Sequence, residues 1–321
     1  MPIAQSDVEA VLDVVTLGEA MVLLMTDAAG PLERAAAFAK RTAGAETNVA
    51  IGLVRLGLRV GWASRLGTDS FGRFLLESLQ AEGVDCTHVA CAEGERTGFM
   101  IKGCTTDGSD PATEYHRAGS AASRMSADDL DLPWLASATH LHATGVFPAL
   151  SPACFSATRA SFAAMRSAGR TISFDPNLRP VLWPSMRVMC DTVNALACNA
   201  DWVLPGLDEG RLLTGEATPE GIAAYYRRRG VALVVVKLGA RGAYHDSAAG
   251  TGFVAGWPVD RVVDTVGAGD GFAVGLLSAL LRGIDLAHAL RRAVWVGARV
   301  VQFTGDTEGL PTLDDLRAAG L

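Results

Sequence analysis

The feature that most constrains the fold is an alternation of short apolar runs with longer segments of helical periodicity. Apolar residues recur at helical spacing over 47–56, 71–82, 152–168 and 220–229, and each of these segments ends beside a glycine. The short runs predict buried strands at residues 14–17, 60–64, 140–144, 171–174, 202–204 and 233–236. Such alternation is typical of a mostly parallel sheet with helices on both faces, so the sequence predicts an α/β fold.

Two stretches interrupt this alternation, at about residues 21–41 and 86–117. Neither carries a long helical pattern, and the second holds strand-like runs at 98–103 and 113–116 around a turn-rich segment at 106–111. We interpret the two stretches as a small β lid inserted over the main sheet. No Pro-rich or Ser-rich linker divides the chain, so residues 1–321 are expected to form a single domain.

Composition limits the classes of partner. A net charge of −7 and an isoelectric point near 5.4 argue against binding to nucleic acid or to an anionic membrane surface. The six cysteines form no CxxC pair, which disfavours zinc and favours reduced thiols in the cytoplasm. Residues 1–13 carry acids and no apolar core of a signal peptide, and the apolar run 272–281 is too short to cross a membrane. We therefore expect a cytoplasmic protein.

A glycine-rich turn at residues 264–275 runs directly into an apolar helix. Gly267 and Gly269 are expected to take positive φ and to bring the backbone close to a ligand, and the helix start favours an anion. The turn is not a P-loop, because the chain contains no Gly-Lys pair. It is not a dinucleotide fingerprint either, because Phe272 stands where the third glycine is required. The turn is best interpreted as another kind of phosphate site, with a plain helix-capping turn as the alternative.

Asp270 stands at the junction between this turn and the helix. Its carboxylate can cap the helix, or it can accept a proton from a hydroxyl that attacks a bound phosphate. A helix N-terminus stabilises the ionised form, so we expect the pKa of Asp270 to be lowered.

Polar clusters also follow several predicted strands and precede one helix. The segment 44–48 is either a helix N-terminus capped by Thr47 or Asn48, or a site where Asn48 recognises hydroxyl groups. Residues 175–180 form a turn made rigid by two prolines. Residues 237–242 are either a nucleotide-facing turn or a plain turn between strands.

Two arginines are the candidates for binding an acidic ligand. Arg117 lies at the end of the expected lid and Arg179 in the proline-rich turn. Their planar guanidinium groups can each bind a carboxylate or a phosphate through two hydrogen bonds.

Taken in order, these motifs resemble the ribokinase-like (PfkB) family of carbohydrate kinases over essentially the whole chain. The family's signatures are matched by residues 264–275, 44–57 and 237–242, and residues 115–123 and 173–183 look most like 2-keto-3-deoxygluconate kinases. The resemblance implies a three-layer α/β/α sandwich with a mostly parallel central sheet and a small β lid.

The resemblance also implies roles for individual residues. Catalysis would rest on Asp270 as base, with Gly267, Ala268 and Gly269 as the anion hole. The sugar acid would contact Gly44, Asn48, Tyr115, Arg117, Arg179, Asp270 and Asp306. The nucleotide would contact Asn177, Arg179, Lys237, Leu238, Gly239, Gly242, Gly267, Ala268 and Gly269. Glu209 would be the protein's carboxylate at a Mg²⁺ that bridges the phosphates of ATP; Gly206 stands where the family commonly has Asn or Ser.

The implied reaction is transfer of a phosphoryl group from ATP to the 6-hydroxyl of 2-keto-3-deoxy-D-gluconate. The alternative is a related kinase for another sugar, such as fructose or tagatose. A non-catalytic sugar-binding protein would keep the recognition residues but would not need Asp270 beside a glycine cradle. The apolar faces of the lid suggest a homodimer in which two lids pair.

Overall fold

The computed structural model describes residues 12–28, 30–104 and 112–321. Their strands are β1 Val14–Leu17, β2 Met21–Thr26, β3 Phe38–Ala43, β4 Val60–Gly67, β5 Val89–Ala92, β6 Phe99–Lys102, β7 Thr113–His116, β8 His140–Thr144, β9 Thr171–Asp175, β10 Trp202–Val203, β11 Leu233–Lys237, β12 Gly242–Ser247 and β13 Gly250–Ala255. All six strands expected from the short apolar runs are present, and their ends lie within three residues of the predicted ones.

The helices follow the same alternation. They are α1 Ala45–Arg55, α2 Ser70–Ala81, α3 Leu132–Ser137, α4 Val146–Ala149, α5 Pro152–Ser167, α6 Met186–Ala197, α7 Leu207–Thr214, α8 Pro219–Arg227, α9 Ala268–Leu280, α10 Leu286–Val300 and α11 Leu313–Ala318. The four helices predicted from periodicity are confirmed as α1, α2, α5 and α8. The glycines that follow them, at 57, 83, 169 and 230, all have positive φ, as helix-terminating glycines do.

One large sheet forms the middle layer, in the order β13-β12-β11-β10-β9-β8-β1-β4-β5. The strands from β5 to β11 in this order pair in parallel, and β12 and β13 add an antiparallel edge. The carboxyl ends of the parallel strands therefore meet along one rim of the sheet, where ligands of such folds bind.

Apolar clusters cover both faces of this sheet. On β1, Val14 belongs to the cluster that includes residues of α1, α9 and α10, whereas Val15 and Leu17 belong to the cluster that includes residues of α5, α6 and α8. Successive side chains of a strand point to opposite faces, so a fully apolar strand needs helices on both sides. The α/β/α sandwich with its mostly parallel sheet is confirmed.

A second, four-stranded sheet of order β3-β2-β6-β7 forms the lid. It is mixed, because β2 pairs in parallel with β6 and antiparallel with β3. Strand β5 falls inside the expected lid segment 86–117 but pairs in parallel with β4 of the large sheet. Helix α2 forms the connection between β4 and β5. Part of that segment therefore belongs to the main layer. The expected turn at 106–111 lies outside the described residues.

Among the described residues, no helix has the length and apolar character that crossing a membrane requires.

Candidate functional site

The glycine-rich turn enters α9 through Gly267. Gly267 has φ of 80° and occupies the position before the helix, and a Cβ there would lie 3.0 Å from the carbonyl oxygen of Asp306. The expected positive φ is therefore confirmed at Gly267. It is wrong at Gly269, which is the second residue of α9 and does not have a positive φ. A Cβ at Gly269 would lie 3.3 Å from Nζ of Lys237, which is a close contact.

The first turn of α9 presents free backbone donors. Within the described residues, the amides of Gly269 and Asp270 donate to no carbonyl, whereas the amide of Gly271 donates to the carbonyl of Gly267 at 2.8 Å. Unpaired amides at the start of a 13-residue helix form an anion site, reinforced by the helix dipole.

Asp270 lies in this first turn but does not cap the helix. It is 9% exposed, and its Oδ2 accepts a hydrogen bond of 2.8 Å from Nδ2 of Asn48 in α1. Burial raises the pKa of Asp270 to about 7, and the neighbouring carboxylates of Asp175 and Asp306 act in the same direction. The expected lowering of this pKa is therefore wrong, because removal from water outweighs both the helix dipole and the hydrogen bond from Asn48.

The start of α1 brings the second glycine motif to the same place. Gly44 precedes the helix with φ of 152°, and a Cβ there would lie 2.7 Å from the carbonyl oxygen of Glu19. No side chain caps α1, so the capping roles considered for Thr47 and Asn48 are not observed. Asn48 instead turns toward Asp270. Its buried Oδ1 and the buried Oδ1 of Asp306 have no hydrogen-bond partner within the described part of the chain, and both can receive a hydroxyl group.

The polar cavity, as we call it, lies between the lid and the start of α9, with a volume of about 360 Å³. It collects all the predicted sugar-contacting residues: Gly44, Asn48, Tyr115, Arg117, Arg179, Asp270 and Asp306. Asn177 and Gly267 also line it. Burial raises the pKa of Asp306 to about 6, although the positive charge of Lys102 acts to lower it.

The apolar cavity is larger, with a volume of about 660 Å³, and lies against α9 and α10. Its walls include Leu238, Trp257, Val262, Phe272 and Val294. Of the residues predicted to contact the nucleotide, Lys237, Leu238, Gly239, Gly242, Ala268 and Gly269 lie here.

The two cavities meet where four residues line both of them: Glu209, Lys237, Thr265 and Gly269. The side chain of Lys237 is 16% exposed, and its Nζ lies 2.5 Å from Oδ2 of Asp175 at the end of β9. Burial alone would lower the pKa of Lys237, but the negative charges of Asp175 and Glu209 raise it. Lys237 is therefore a fixed positive charge at the junction, beside the free amides of α9.

The two candidate arginines differ in their partners. Arg117 is 9% exposed and its Nε and Nη2 donate to Oε2 of Glu19 at 2.7 and 2.6 Å, while Ser120 binds the other oxygen of Glu19. Arg179 donates only to the carbonyl oxygens of Asn177 and Leu178 among the described residues. Of the two, Arg179 keeps its charge uncompensated.

Asn177 has φ of 38°, the single positive φ of a residue other than glycine within the described ranges. Its amide donates to Oδ1 of Asp175 at 3.2 Å, which stabilises this conformation locally. Strained backbone of this kind is concentrated at ligand sites, since it persists only where its surroundings hold it.

Sequence reasoning missed four charged residues of the site. Asp175 and Asp264 open the segments 175–180 and 264–275 but had no predicted role, and Glu19 and Lys102 stand outside every motif described above. Nζ of Lys102 in β6 lies 2.5 Å from Oδ2 of Asp264, and both side chains are at least nine-tenths buried. A lysine inside an apolar lid strand was the available signal, because such a charge is buried only with a partner.

Glu209 sits at the start of α7 with both oxygens engaged. Oε1 accepts from the amide of Leu178 and Oε2 from the amide of Gly206, each at 2.7 Å. The side chain holds the turn after β9 against the turn after β10, and each oxygen retains a free lone pair.

The model of the "pfkB family carbohydrate kinase" matches residues 11–313. The 2-dehydro-3-deoxygluconokinase of Bacillus subtilis strain 168 is 48% identical over 306 residues, covering 95% of this chain and 94% of the relative.

Two crystal structures extend the comparison. The PfkB protein of Polaromonas sp. JS666 is 61% identical, with a TM-score of 0.89 over 96% of this chain and 99% of that one. An E. coli protein in complex with ATP and Mg²⁺ is 29% identical, with a TM-score of 0.87 over 96% and 98% of the two chains.

Proposed function

The chain belongs to the pfkB family of carbohydrate kinases, and from that premise we propose that it phosphorylates the 6-hydroxyl of 2-keto-3-deoxy-D-gluconate with ATP, giving 2-keto-3-deoxy-6-phosphogluconate. The observation that carries the proposal is the meeting of the polar and apolar cavities at Gly269 and Lys237, with Asp270 on the polar side. The Bacillus relative, whose name is that of this activity, supports the choice of acceptor.

The sugar acid occupies the polar cavity in this proposal. Asn48 and Asp306 offer unpaired buried oxygens to its hydroxyl groups, and Arg179 offers an uncompensated positive charge to its carboxylate. Arg117 is the second candidate for the carboxylate, and it acts there together with Glu19, which orients it.

ATP occupies the apolar cavity, with its base and ribose between the 237–242 turn and α10. Its phosphates extend toward Lys237 and the free amides of Gly269 and Asp270. These fixed donors match the charge that spreads over the transferring group in the transition state.

Proton transfer is assigned to Asp270. The attacking hydroxyl oxygen forms a bond to the γ-phosphorus, the bond from that phosphorus to the bridging oxygen breaks, and ADP leaves with the electron pair. Asp270 accepts the hydroxyl proton, and its pKa of about 7 matches this task at neutral pH. Asn48 fixes the orientation of the carboxylate.

The residues present fit a magnesium ion at the junction. Within the described ranges, no three His, Cys, Asp or Glu side chains converge on a common point as a closed metal cage would require. Magnesium is usually held by one or two carboxylates together with substrate phosphates, and Glu209 lines both cavities where the phosphates would lie. When bound with ATP, Mg²⁺ neutralises phosphate charge.

We also propose a cytoplasmic enzyme that dimerises through the lid. Phe38 and Tyr115, on the two outer strands of the lid sheet, are 40% and 50% exposed, which supports a partner surface there. Light scattering of purified protein tests the dimer, and a monomer at micromolar concentration would reject it.

The function is tested by a coupled ADP-release screen of sugar acids, ketohexoses and nucleosides. We expect the highest kcat/KM with 2-keto-3-deoxy-D-gluconate, and phosphorus NMR of the product should show a 6-phosphate. Faster turnover of fructose or tagatose would reject the proposed acceptor. Absence of ADP release with every sugar would reject a kinase.

A further inference from the structure

Lys102 is a buried positive charge in the lid. It is the last residue of β6, is 1% exposed and lines the polar cavity. The chain contains three lysines, at positions 40, 102 and 237, and of these Lys40 is exposed on β3. Burial of a lysine in an apolar sheet is unfavourable unless a partner compensates the charge, so Lys102 must serve an interaction.

That partner is the first residue of the glycine-rich turn. Oδ2 of Asp264 lies 2.5 Å from Nζ of Lys102, while Oδ1 of Asp264 accepts from the amide of Val266 at 3.1 Å. The amides of Val263 and Asp264 both donate to the carbonyl of Val301. The carboxylate of Asp264 therefore connects the lid sheet to the backbone of the turn and, through it, to the end of α10.

The turn that Asp264 anchors carries the transfer site. Thr265 lines both cavities, and Gly267 sets the direction of α9 and of its free amides. Donors that stabilise a transition state must be held within a fraction of an ångström of their productive position. A displacement of Asp264 would move these donors without removing any of them.

We propose that Lys102 is a positioning residue for phosphoryl transfer, which holds the glycine-rich turn in place through Asp264. A strand of the lid sheet thereby helps to position the transfer site. This inference rests on the proposed kinase function. It adds a residue that acts through Asp264 and not by contact with the phosphates of ATP.

The test compares Lys102→Met with Lys40→Met, which removes the same charge from an exposed position of the same sheet. We expect Lys102→Met to lower kcat on the order of 100-fold with little change in KM for ATP, and Lys40→Met to leave both unchanged. Lys102→Arg should recover most of the turnover, since a guanidinium also reaches a carboxylate. The double variant Lys102→Met, Asp264→Asn should lose no more than Lys102→Met alone, because the two residues act as one unit.

Amide hydrogen exchange gives a readout that needs no sugar. In Lys102→Met we expect faster exchange at residues 263–266 and unchanged exchange in β1 and β4. Equal exchange at 263–266 in both proteins would overturn the proposal, as would wild-type turnover in Lys102→Met or additive losses in the double variant. If the wild-type enzyme phosphorylates a different sugar, the proposed acceptor is wrong. The comparison of Lys102→Met with Lys40→Met is then made with that sugar and still tests the role of Lys102.

Discussion

The polar and apolar cavities lie side by side but recognise their ligands by different means. Ten residues with ionisable charge line the polar cavity in the described part of the chain, whereas four line the apolar cavity, which is nearly twice as large. A small cavity lined by charges discriminates through hydrogen bonds that a wrong ligand leaves unmade. A larger apolar cavity binds through surface burial and shape. Acceptor identity and proton transfer should therefore depend on individual polar groups, and nucleotide binding on volume.

The largest effect that this comparison predicts is at Asp270. Asp270→Asn keeps the size of the side chain but removes the proton acceptor, so kcat should fall by about 100-fold or more. ATP binding should change little, because the apolar cavity is intact. Turnover assays with nucleotide titration calorimetry measure both quantities. Asp314→Asn, at an exposed position on α11, is the control, and near-normal turnover of Asp270→Asn would remove this residue from the chemistry.

The next effect is at Arg117. Arg117→Ala should raise KM for sugar acids by roughly 10-fold and KM for neutral sugars less, because it removes a charge-assisted hydrogen bond to the carboxylate. Glu19 is then left buried and unpaired, so Arg117→Ala is compared with the double variant Arg117→Ala, Glu19→Gln, which restores neutrality. Equal KM increases for acidic and neutral sugars in both proteins would show that Arg117 only supports the lid.

Nucleotide binding in the apolar cavity should weaken when a larger side chain reduces the volume of the cavity. Ala298 in α10 lines this cavity, and Ala298→Leu should raise KM for ATP by about 10-fold through overpacking, with unchanged KM for the sugar acid. Steady-state kinetics with each substrate varied in turn measure the two constants. If both KM values rose together, the two cavities would not be independent and the contrast between them would fail.

The smallest effect is on stability and follows from the pKa of Asp270. Its value of about 7 in the folded protein exceeds the ordinary value of 3.8, so the folded state keeps a proton that the unfolded chain releases between these values. The contribution of Asp270 to the free energy of unfolding is therefore most favourable at low pH, and it declines as pH rises toward 7. Asp270→Asn should melt about 2–4 °C above the wild type at pH 8, by less at pH 5, and by almost nothing near pH 4, where the unfolded chain also begins to hold the proton. A difference in melting temperature that is the same at pH 8 and pH 4 would contradict the raised pKa.

Local patterns in the sequence were sufficient for the layered fold. The strand at 140–144 and the helix beginning at residue 152 were predicted at the observed residues, because burial on both faces and helical periodicity are properties of neighbouring positions. Strand β5 was assigned to the lid instead of the main sheet, since a short strand carries no mark of its partner.

The site was predictable only where its residues form contiguous motifs. Gly44, Asn48 and Gly267 stand in such motifs, whereas the pairs Arg117 with Glu19 and Lys102 with Asp264 join residues 98 and 162 positions apart. No local pattern links such positions. The pKa of Asp270 was mispredicted for the same reason, because its burial depends on α1 and on the segment around residue 306, distant in the sequence.

Gly269 is one of the four residues at which the two cavities meet, and it adds no side chain between them. A single molecule that joins a sugar acid to an adenosine phosphate through a linker the length of the transferring group could therefore occupy both cavities at once. The second half of such a bisubstrate inhibitor would bind at an effective concentration in the millimolar range, and its affinity would exceed that of either half alone. The meeting of the two cavities at Gly269 thus makes the kinase open to inhibition by a tethered mimic of its own ternary complex.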